Sequence, residues 1–243
     1  MFWPRSWGLA YAYSFDLNIE NFLSYIILFF LGAVLMRSAG CIVNDIVDIK
    51  LDKKVKRTKS RPLAANLISV KKSLVYVVGL CGLAFCILIQ FNYLTIILGL
   101  SSMFLAFSYP FMKRITYWPQ LFLGLTFNWG IIMAWTSISN ILTIDIFIVY
   151  FAAIFWTLGY DTIYGVQDIV DDEIIGVKST SIKFKFMLKK FVLVCYSISM
   201  LTFFIFFINN IKSLYFLIPF FAFSITLLYQ ILTFNKVKPN TCL

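Results

Sequence analysis

Residues 41–63 read CIVNDIVDIKLDKKVKRTKSRPL, an apolar segment that runs straight into Asn44, three aspartates and a dense series of lysines and arginines. Anionic side chains at the C-terminal end of a helix oppose its macrodipole, which favours cations there. Carboxylates three or four residues apart on one helix repel each other, and burying one in a bilayer costs several-fold thermal energy. A segment that accepts all three penalties is built to hold something. On a helix Asn44, Asp48 and Asp52 stack on one face at i, i+4 and i+8. Arg37 lies two turns before Asn44 on that face, and Asp45 is expected to point off it.

The surroundings of this segment are those of a membrane protein. Of 243 residues, 61% are hydrophobic, against roughly 45–50% in soluble domains. Apolar runs recur at 22–43, 74–91, 93–112, 118–138, 141–160, 191–208 and 214–233. Each is about the length that crosses a hydrocarbon core of ~30 Å at ~1.5 Å per residue. An eighth run, Trp7–Phe15, is too short to span and reads as the second part of a first helix, so that in chain order the run at 22–43 is the second. The expected fold is therefore all-α, a polytopic transmembrane helical bundle.

Charge gives a topology. The loops after the second, fourth and sixth runs carry Lys53, Lys54, Lys56, Arg57, Lys59, Arg61, Lys71 and Lys72, then Lys113 and Arg114, then Lys178, Lys183, Lys185, Lys189 and Lys190. The opposite connections carry a single cation, Lys212. Excess Lys and Arg stays on the cytoplasmic side, or on the matrix side in a mitochondrion, and both termini are expected there too. This accounts for most of the net charge of +10 without a nucleic-acid partner, and no obligate protein partner is evident.

There is no histidine, which excludes Ser-His-Asp catalysis, His-ligated haem and His-containing zinc sites. The five cysteines lack CxxC spacing and read as small core residues. Only eleven acidic residues exist, and eight fall in two clusters on the expected cytoplasmic side: Asp45, Asp48 and Asp52, then Asp161, Asp168, Asp171, Asp172 and Glu173. The second repeats the helical pattern of the first, with Asp161, Tyr164, Asp168 and Asp172 at i, i+3, i+7 and i+11. Two acidic ridges suit a hard divalent cation, and Mg²⁺ commonly binds one or two carboxylates plus substrate phosphates. The expected load is Mg²⁺ bridging to a diphosphate, with Arg57, Arg61, Lys113, Arg114 and Lys178 neutralising the remaining charge. Each cluster closes an even-numbered run and precedes a basic loop. That pattern suggests one transmembrane domain over 1–243 made of two pseudo-repeated four-helix halves, about 1–116 and 117–243.

Three ordered blocks resemble the UbiA superfamily of intramembrane prenyltransferases, and within it the 4-hydroxybenzoate polyprenyltransferases of ubiquinone synthesis. RSAGCIVNDIVDIKLDKKVKRTKSRPLA (37–64) carries an NDxxDxxxD motif with a trailing RTxxRPL. YPFMKRITYWPQLFLGLTFNWG (109–130) resembles the family segment joining the fourth and fifth helices. DTIYGVQDIVDDEIIGVKSTSI (161–182) carries DxxYxxxDxxDD followed by GxKS. The resemblance implies nine transmembrane helices around a central cavity, about eight of them present here. It also implies Mg²⁺-dependent transfer of a polyprenyl group from its diphosphate to 4-hydroxybenzoate in a bacterial or mitochondrial inner membrane. By motif position, Asp48 with Asp52 and Asp168 with Asp172 would be the metal-binding and catalytic pairs. Asn44 would join the first pair and the aromatic-acid subsite. Arg37 would face the acid's carboxylate, Lys113 and Arg114 would lie over the diphosphate, and Asp45, Asp161 and Tyr164 would support.

Against the family pattern the chain opens inside the first helix and ends soon after the eighth. A truncated, inactive copy is thus one alternative expectation. A sister enzyme with a haem, chlorophyll or naphthoate acceptor is another, and a cation transporter using its acids is a third. The transporter would want Gly- or Pro-broken helices at mid-span with acids beside the break, whereas these acids sit at helix ends next to phosphate-suited cations.

Overall fold

A computed structural model of the chain describes residues 2–15, 22–55, 58–210 and 217–234, the side chains of Phe2 and Phe15 excepted. Lys56, Arg57 and Lys212, all singled out above, lie outside the described residues. Among the described residues every regular element is helical: α1 Phe2–Phe15, α2 Phe22–Asp52, α3 Val70–Leu88, α4 Tyr93–Ile115, α5 Pro119–Ser139 and α6 Ile144–Tyr164 come first. A 3₁₀ turn at Gly165–Asp168 and the short helices α7 Ile169–Ile175 and α8 Thr180–Lys183 lead into α9 Leu188–Asn210 and α10 Leu217–Thr233.

Among the described residues six apolar segments are long enough to cross a membrane, namely α2, α3, α4, α5, α6 extended through α7, and α9. Seven full crossings were expected; the last falls on α10, which has 17 described residues. α2 has 31 residues, about ten more than a crossing needs. Its surplus lets Asp45, Asp48 and Asp52 stay on the same helix as Phe29 and Ala33 while standing beyond the hydrocarbon. Local signals set the boundaries: Ser69 caps α3 by accepting from the Lys72 amide, and Pro119 opens α5 where its missing N–H costs nothing.

The chain divides into two compact units, Met1–Phe111 with Thr126–Leu142, and Met112–Leu125 with Thr143–Leu243. In the first, α1 lies close against the second part of α5. Gly8 abuts the Ile131 carbonyl and Ala134, and Tyr11 stacks on Trp135 with centroids 4.7 Å apart. Small residues permit such approach where apolar burial alone does not drive helices together. Polar side chains here are spent on backbone: Asn92 Nδ2 donates to the Thr136 carbonyl at 2.6 Å, and Trp129 Nε1 to that of Leu98 at 2.9 Å.

The second unit is organised on α6 and α9. Gly159 lies under the Tyr196 ring, Ser199 Oγ donates to the Ala152 carbonyl at 2.8 Å, and Tyr196 Oη meets Gln230 Oε1 at 2.9 Å. Ile163, Val166, Ile169, Leu188, Val192 and Leu227 pack around that ring. The core thus reaches the 3₁₀ turn that leads into the second acidic motif.

Candidate functional site

In the first unit, Asp48 and Asp52 are one helical turn apart on α2 and are 2% and 7% exposed. No other acidic residue among those described is buried to this degree. Asn44 and Asp45 are half-buried. The chain after α2 folds back on it. The Thr58 hydroxyl donates to the Asp52 carbonyl at 3.2 Å, satisfying one of the open acceptors at the helix end. Leu63 and Ala64 are buried, and the Leu67 amide donates to the Pro62 carbonyl at 2.8 Å.

That return brings Arg61 to the acids. Its Nη1 donates to Asp45 Oδ1 at 3.0 Å and to Asp52 Oδ2 at 3.1 Å. Asp45, expected off the ridge, is therefore drawn to it: seven residues make nearly two full turns, so Asp45 and Asp52 lie close enough to share one guanidinium. Two turns before Asn44, Arg37 is exposed, with its guanidinium carbon 5.5 Å from the Phe127 ring centroid, a cation–π arrangement.

In the second unit the expected unbroken ridge is interrupted. Asp161 and Tyr164 lie on α6, Asp168 closes the 3₁₀ turn, and Asp172 lies on α7. A 3₁₀ residue turns ~120° where an α residue turns ~100°, so four of them shift the later acids by about 80° around the axis. The cause is packing. A Cβ on Gly165 would lie 2.5 Å from Ser181 Oγ, which itself donates to the Thr162 carbonyl at 2.8 Å. α7 then stops at Gly176, whose φ of +77° lies where a side chain is disfavoured, and whose amide donates to the Asp172 carbonyl.

Beyond Gly176 the GVKSTS segment is held by a buried polar cluster. Thr180 Oγ1 and Thr162 Oγ1 are 2.7 Å apart, and the Thr180 amide donates to Gln120 Oε1 at 2.9 Å. Thr162, Thr180 and Ser181 are fully buried. The same segment carries Lys178, whose amide donates to the Lys113 carbonyl at 2.8 Å. Its Nζ donates to the Ile115 carbonyl at 3.1 Å and lies over the Tyr117 ring.

Lys113, Arg114 and Lys178, 64 residues apart in sequence, are thereby joined; Lys113 is half-buried and Arg114 exposed. Arg57 lies outside the described residues. Sequence reasoning missed Thr58, Gln120, Thr162, Thr180 and Ser181, because an isolated hydroxyl or amide in an apolar chain carries no spacing signal.

Among the described residues no group of three or more His, Cys, Asp or Glu side chains converges to hold a metal by itself. The donors present are carboxylate pairs, hard oxygen ligands that fit Mg²⁺ completed by water and phosphate oxygens better than an all-protein cage.

A family model described as the UbiA prenyltransferase family matches residues 1–243. The chain is 44% identical over 217 residues to a mitochondrial 4-hydroxybenzoate polyprenyltransferase of Bos taurus, covering 88% of this chain and 58% of that one. It is 45% identical over 184 residues to a 4-hydroxybenzoate octaprenyltransferase of Pseudomonas fluorescens, 76% of this chain and 61% of that one. The chain thus spans little more than half the length of these curated relatives. A UbiA homolog from Aeropyrum pernix shares the fold at a TM-score of 0.80 and 19% identity, over 100% of this chain and 96% of that one. A UbiA homolog from Archaeoglobus fulgidus bound to GPP and Mg²⁺ does so at 0.68 and 17%, over 96% and 83%.

Proposed function

Because the chain belongs to the UbiA prenyltransferase family and is an integral membrane protein by its six apolar segments, we propose that it transfers a polyprenyl group from polyprenyl diphosphate to 4-hydroxybenzoate, a Mg²⁺-dependent step of ubiquinone biosynthesis. Attack takes place at the ring carbon ortho to the hydroxyl. The observation that carries this reading is the pair of buried carboxylates, Asp48 and Asp52, on a helix followed by a loop that returns a guanidinium to them. The names of the relatives at 44–45% identity support the acceptor and the donor, and the Archaeoglobus fulgidus homolog binds GPP with Mg²⁺.

In this reading Asp48 and Asp52, with Asn44, and Asp168 with Asp172 hold Mg²⁺. The metal supplies positive charge to the leaving pyrophosphate. Arg61 has five N–H donors, of which Nη1 serves Asp45 and Asp52. Its remaining donors, with Arg57, Lys113, Arg114 and Lys178, are assigned to diphosphate oxygens. Fixed cations of this kind stabilise charge as it develops and need no reorganisation to do so.

The allylic C–O bond breaks, the ring carbon forms the new C–C bond, and the ring gives up one proton. Apolar helices exclude the water that would otherwise capture the allylic cation. Arg37 is assigned to the carboxylate of the aromatic acid, and Asp161 and Tyr164 to support of the second pair. The basic loops, and the acids with them, are placed on the cytoplasmic or matrix side.

The test uses membranes supplied with Mg²⁺, radiolabelled 4-hydroxybenzoate and a polyprenyl diphosphate. Product forms with the parent chain and is abolished in Asp48→Asn and in Asp168→Asn; undiminished product in either variant removes the metal assignment. Arg37→Ala raises KM for the aromatic acid, and an effect confined to the prenyl diphosphate would overturn its role.

A further inference from the structure

In the second unit a groove of about 480 Å³ runs between α9 and α10. On α9 its lining extends from Leu193 to Phe204, and on α10 from Phe220 to Ile231. Each stretch is eleven residue steps long, about 16 Å of helix. Half of a ~30 Å hydrocarbon core is ~15 Å, so the groove is one leaflet deep. Its floor is made by Tyr196, Leu227 and Ile231, all buried, and its rim by Leu193, Leu201 and Phe221, all exposed. Two polar groups of the wall are engaged within the protein. Tyr196 Oη meets Gln230 Oε1 at 2.9 Å, and Ser224 Oγ donates to the Phe220 carbonyl at 2.8 Å.

The end of the groove on the basic side carries two exposed lysines, Lys189 and Lys190. They precede Leu193 by four and three residues, and at ~100° per residue both fall within the stripe of α9 that lines the groove. Lys189 is fixed there. Its Nζ donates to the Leu232 carbonyl at 3.5 Å, one residue past Ile231, and lies 5.3 Å from the Phe234 ring centroid. An ammonium has three donors, so two remain for a ligand. The positive-inside bias accounts for cations on this side of the membrane. Lysines anywhere in the loop would satisfy it, and it does not explain their register with an apolar groove.

We propose that this groove binds one anionic glycerophospholipid of the surrounding leaflet, with its phosphate on Lys189 and Lys190 and one acyl chain along the groove. Charge and length select that occupant. Two cations at the edge of the apolar layer match an anionic headgroup, and a groove that stops at mid-bilayer matches a chain of one leaflet. A helix from a second copy would run the full ~30 Å and would bring a chain of net charge +10 against the two lysines. Bound there, the lipid braces α10 on α9, adding to the Tyr196–Gln230 bond.

The experiment is native mass spectrometry of the full chain in detergent, titrated with palmitoyl-oleoyl phosphatidylglycerol or the matching phosphatidylcholine. The parent retains one phosphatidylglycerol in preference to phosphatidylcholine. The double variant Lys189→Gln/Lys190→Gln weakens that retention about thirtyfold, the effect of removing two cations at a lipid surface. Leu201→Trp is the second variant. Leu201 lines the groove and is 61% exposed, so the larger ring fills the groove without entering the core. It loses both lipids at an unchanged Tm in lipid-free detergent. Equal retention of the two lipids by the parent, or parent-like retention of phosphatidylglycerol in either variant, overturns the inference. Displacement by inorganic phosphate would make the lysines a site for a soluble anion and overturn it too. Displacement by polyprenyl diphosphate at a lower concentration than by phosphatidylglycerol would give the groove to that donor instead. A lipid-free dimer in the parent that Leu201→Trp converts to a monomer would give it to a second copy; either result ends the lipid assignment. Every readout is one of binding, so failure of the prenyl-transfer assay leaves the lipid site standing.

Discussion

Arg61 joins two acids that lie seven residues apart on one helix, and its value to the protein is geometric. Nη1 reaches both Asp45 and Asp52, and the guanidinium keeps further donors in the same plane; a lysine is a point charge on a flexible stem and cannot hold both carboxylates in one orientation. Arg61 is about a third exposed, and exposed pairs of this kind add little to folding. Arg61→Lys should therefore lower kcat/KM about ten- to hundredfold, the loss expected for charge-assisted hydrogen bonds of roughly 1.5–3 kcal/mol, while moving Tm little. A large fall in Tm with proportionate loss of activity would make Arg61 structural instead. The Thr162–Thr180 hydroxyl pair behaves oppositely because it is fully buried. Thr162 Oγ1 also donates to the Leu158 carbonyl at 2.6 Å, so Thr180 is the donor of the pair. Thr162→Val strands that donor and should cost about 1–3 kcal/mol of stability, Thr180→Val should cost less, and the double variant should cost less than the two singles combined. Thermal unfolding of the four proteins in one detergent measures this, and strict additivity would break the pair. Asn44, Asp48 and Asp52 were legible in the sequence because helical spacing alone puts them together. The Arg61 bridge was not, since it depends on how the chain from 53 to 69 folds back, and the threonines were not because their partners lie 18 residues away.

At the scale of the element, the informative difference is the 3₁₀ turn between α6 and α7. Four-residue spacing predicted one continuous acidic ridge there, and nothing in DTIYGVQDIVDD breaks a helix outright. The interruption comes from a neighbour: α8 presents Ser181 to Gly165 so closely that the backbone must tighten. Asp168 consequently ends with φ −100° and ψ −2°, in the sparsely allowed bridge region, and its carboxylate leaves the α6 register. Gly165→Ala should push Ser181 away, destabilise by about 1–3 kcal/mol as overpacking does, and lower turnover by shifting Asp168. Ser181→Ala removes the oxygen that the new methyl would strike, so the double variant should recover most of the lost Tm relative to Gly165→Ala. Recovery of Tm without recovery of turnover would show that the Ser181 hydroxyl serves the site directly. No recovery of either would remove the steric explanation of the turn. Helix existence and approximate span were readable here from apolar run length, which depends only on the solvent. The exact twist was not, because it is decided by a contact between elements.

For the molecule as a whole, the alternation of charge along the chain argues how it sits in a bilayer. Among the described residues, the connection after α2 holds Lys53, Lys54, Lys59 and Arg61, and α4 ends in Lys113 and Arg114. The segment from α7 to α9 holds Lys178, Lys183 and Lys185. The connections 89–92 and 140–143, which lie between these, hold no Lys or Arg. Each crossing reverses the chain, so the basic segments fall on one side and the neutral ones on the other. Inverting the arrangement would carry every basic loop across the membrane against the positive-inside bias. In this orientation the same side would hold Asp48, Asp52, Asp168 and Asp172, as release of a water-soluble pyrophosphate in the proposed reaction would require. The prediction is checked by single-cysteine labelling in a parent lacking its five native cysteines. Cysteines replacing Lys59 and Phe186, both exposed, should react with an impermeant maleimide only when the cytoplasmic or matrix face is presented. Cysteines replacing Gln90 and Ile141 should react only when the other face is. Labelling of Lys59→Cys and Ile141→Cys from the same side would refute the topology, because three crossings separate them. Labelling of all four in the reverse sense would keep the crossings but place the acids on the opposite face from the one the charge pattern demands.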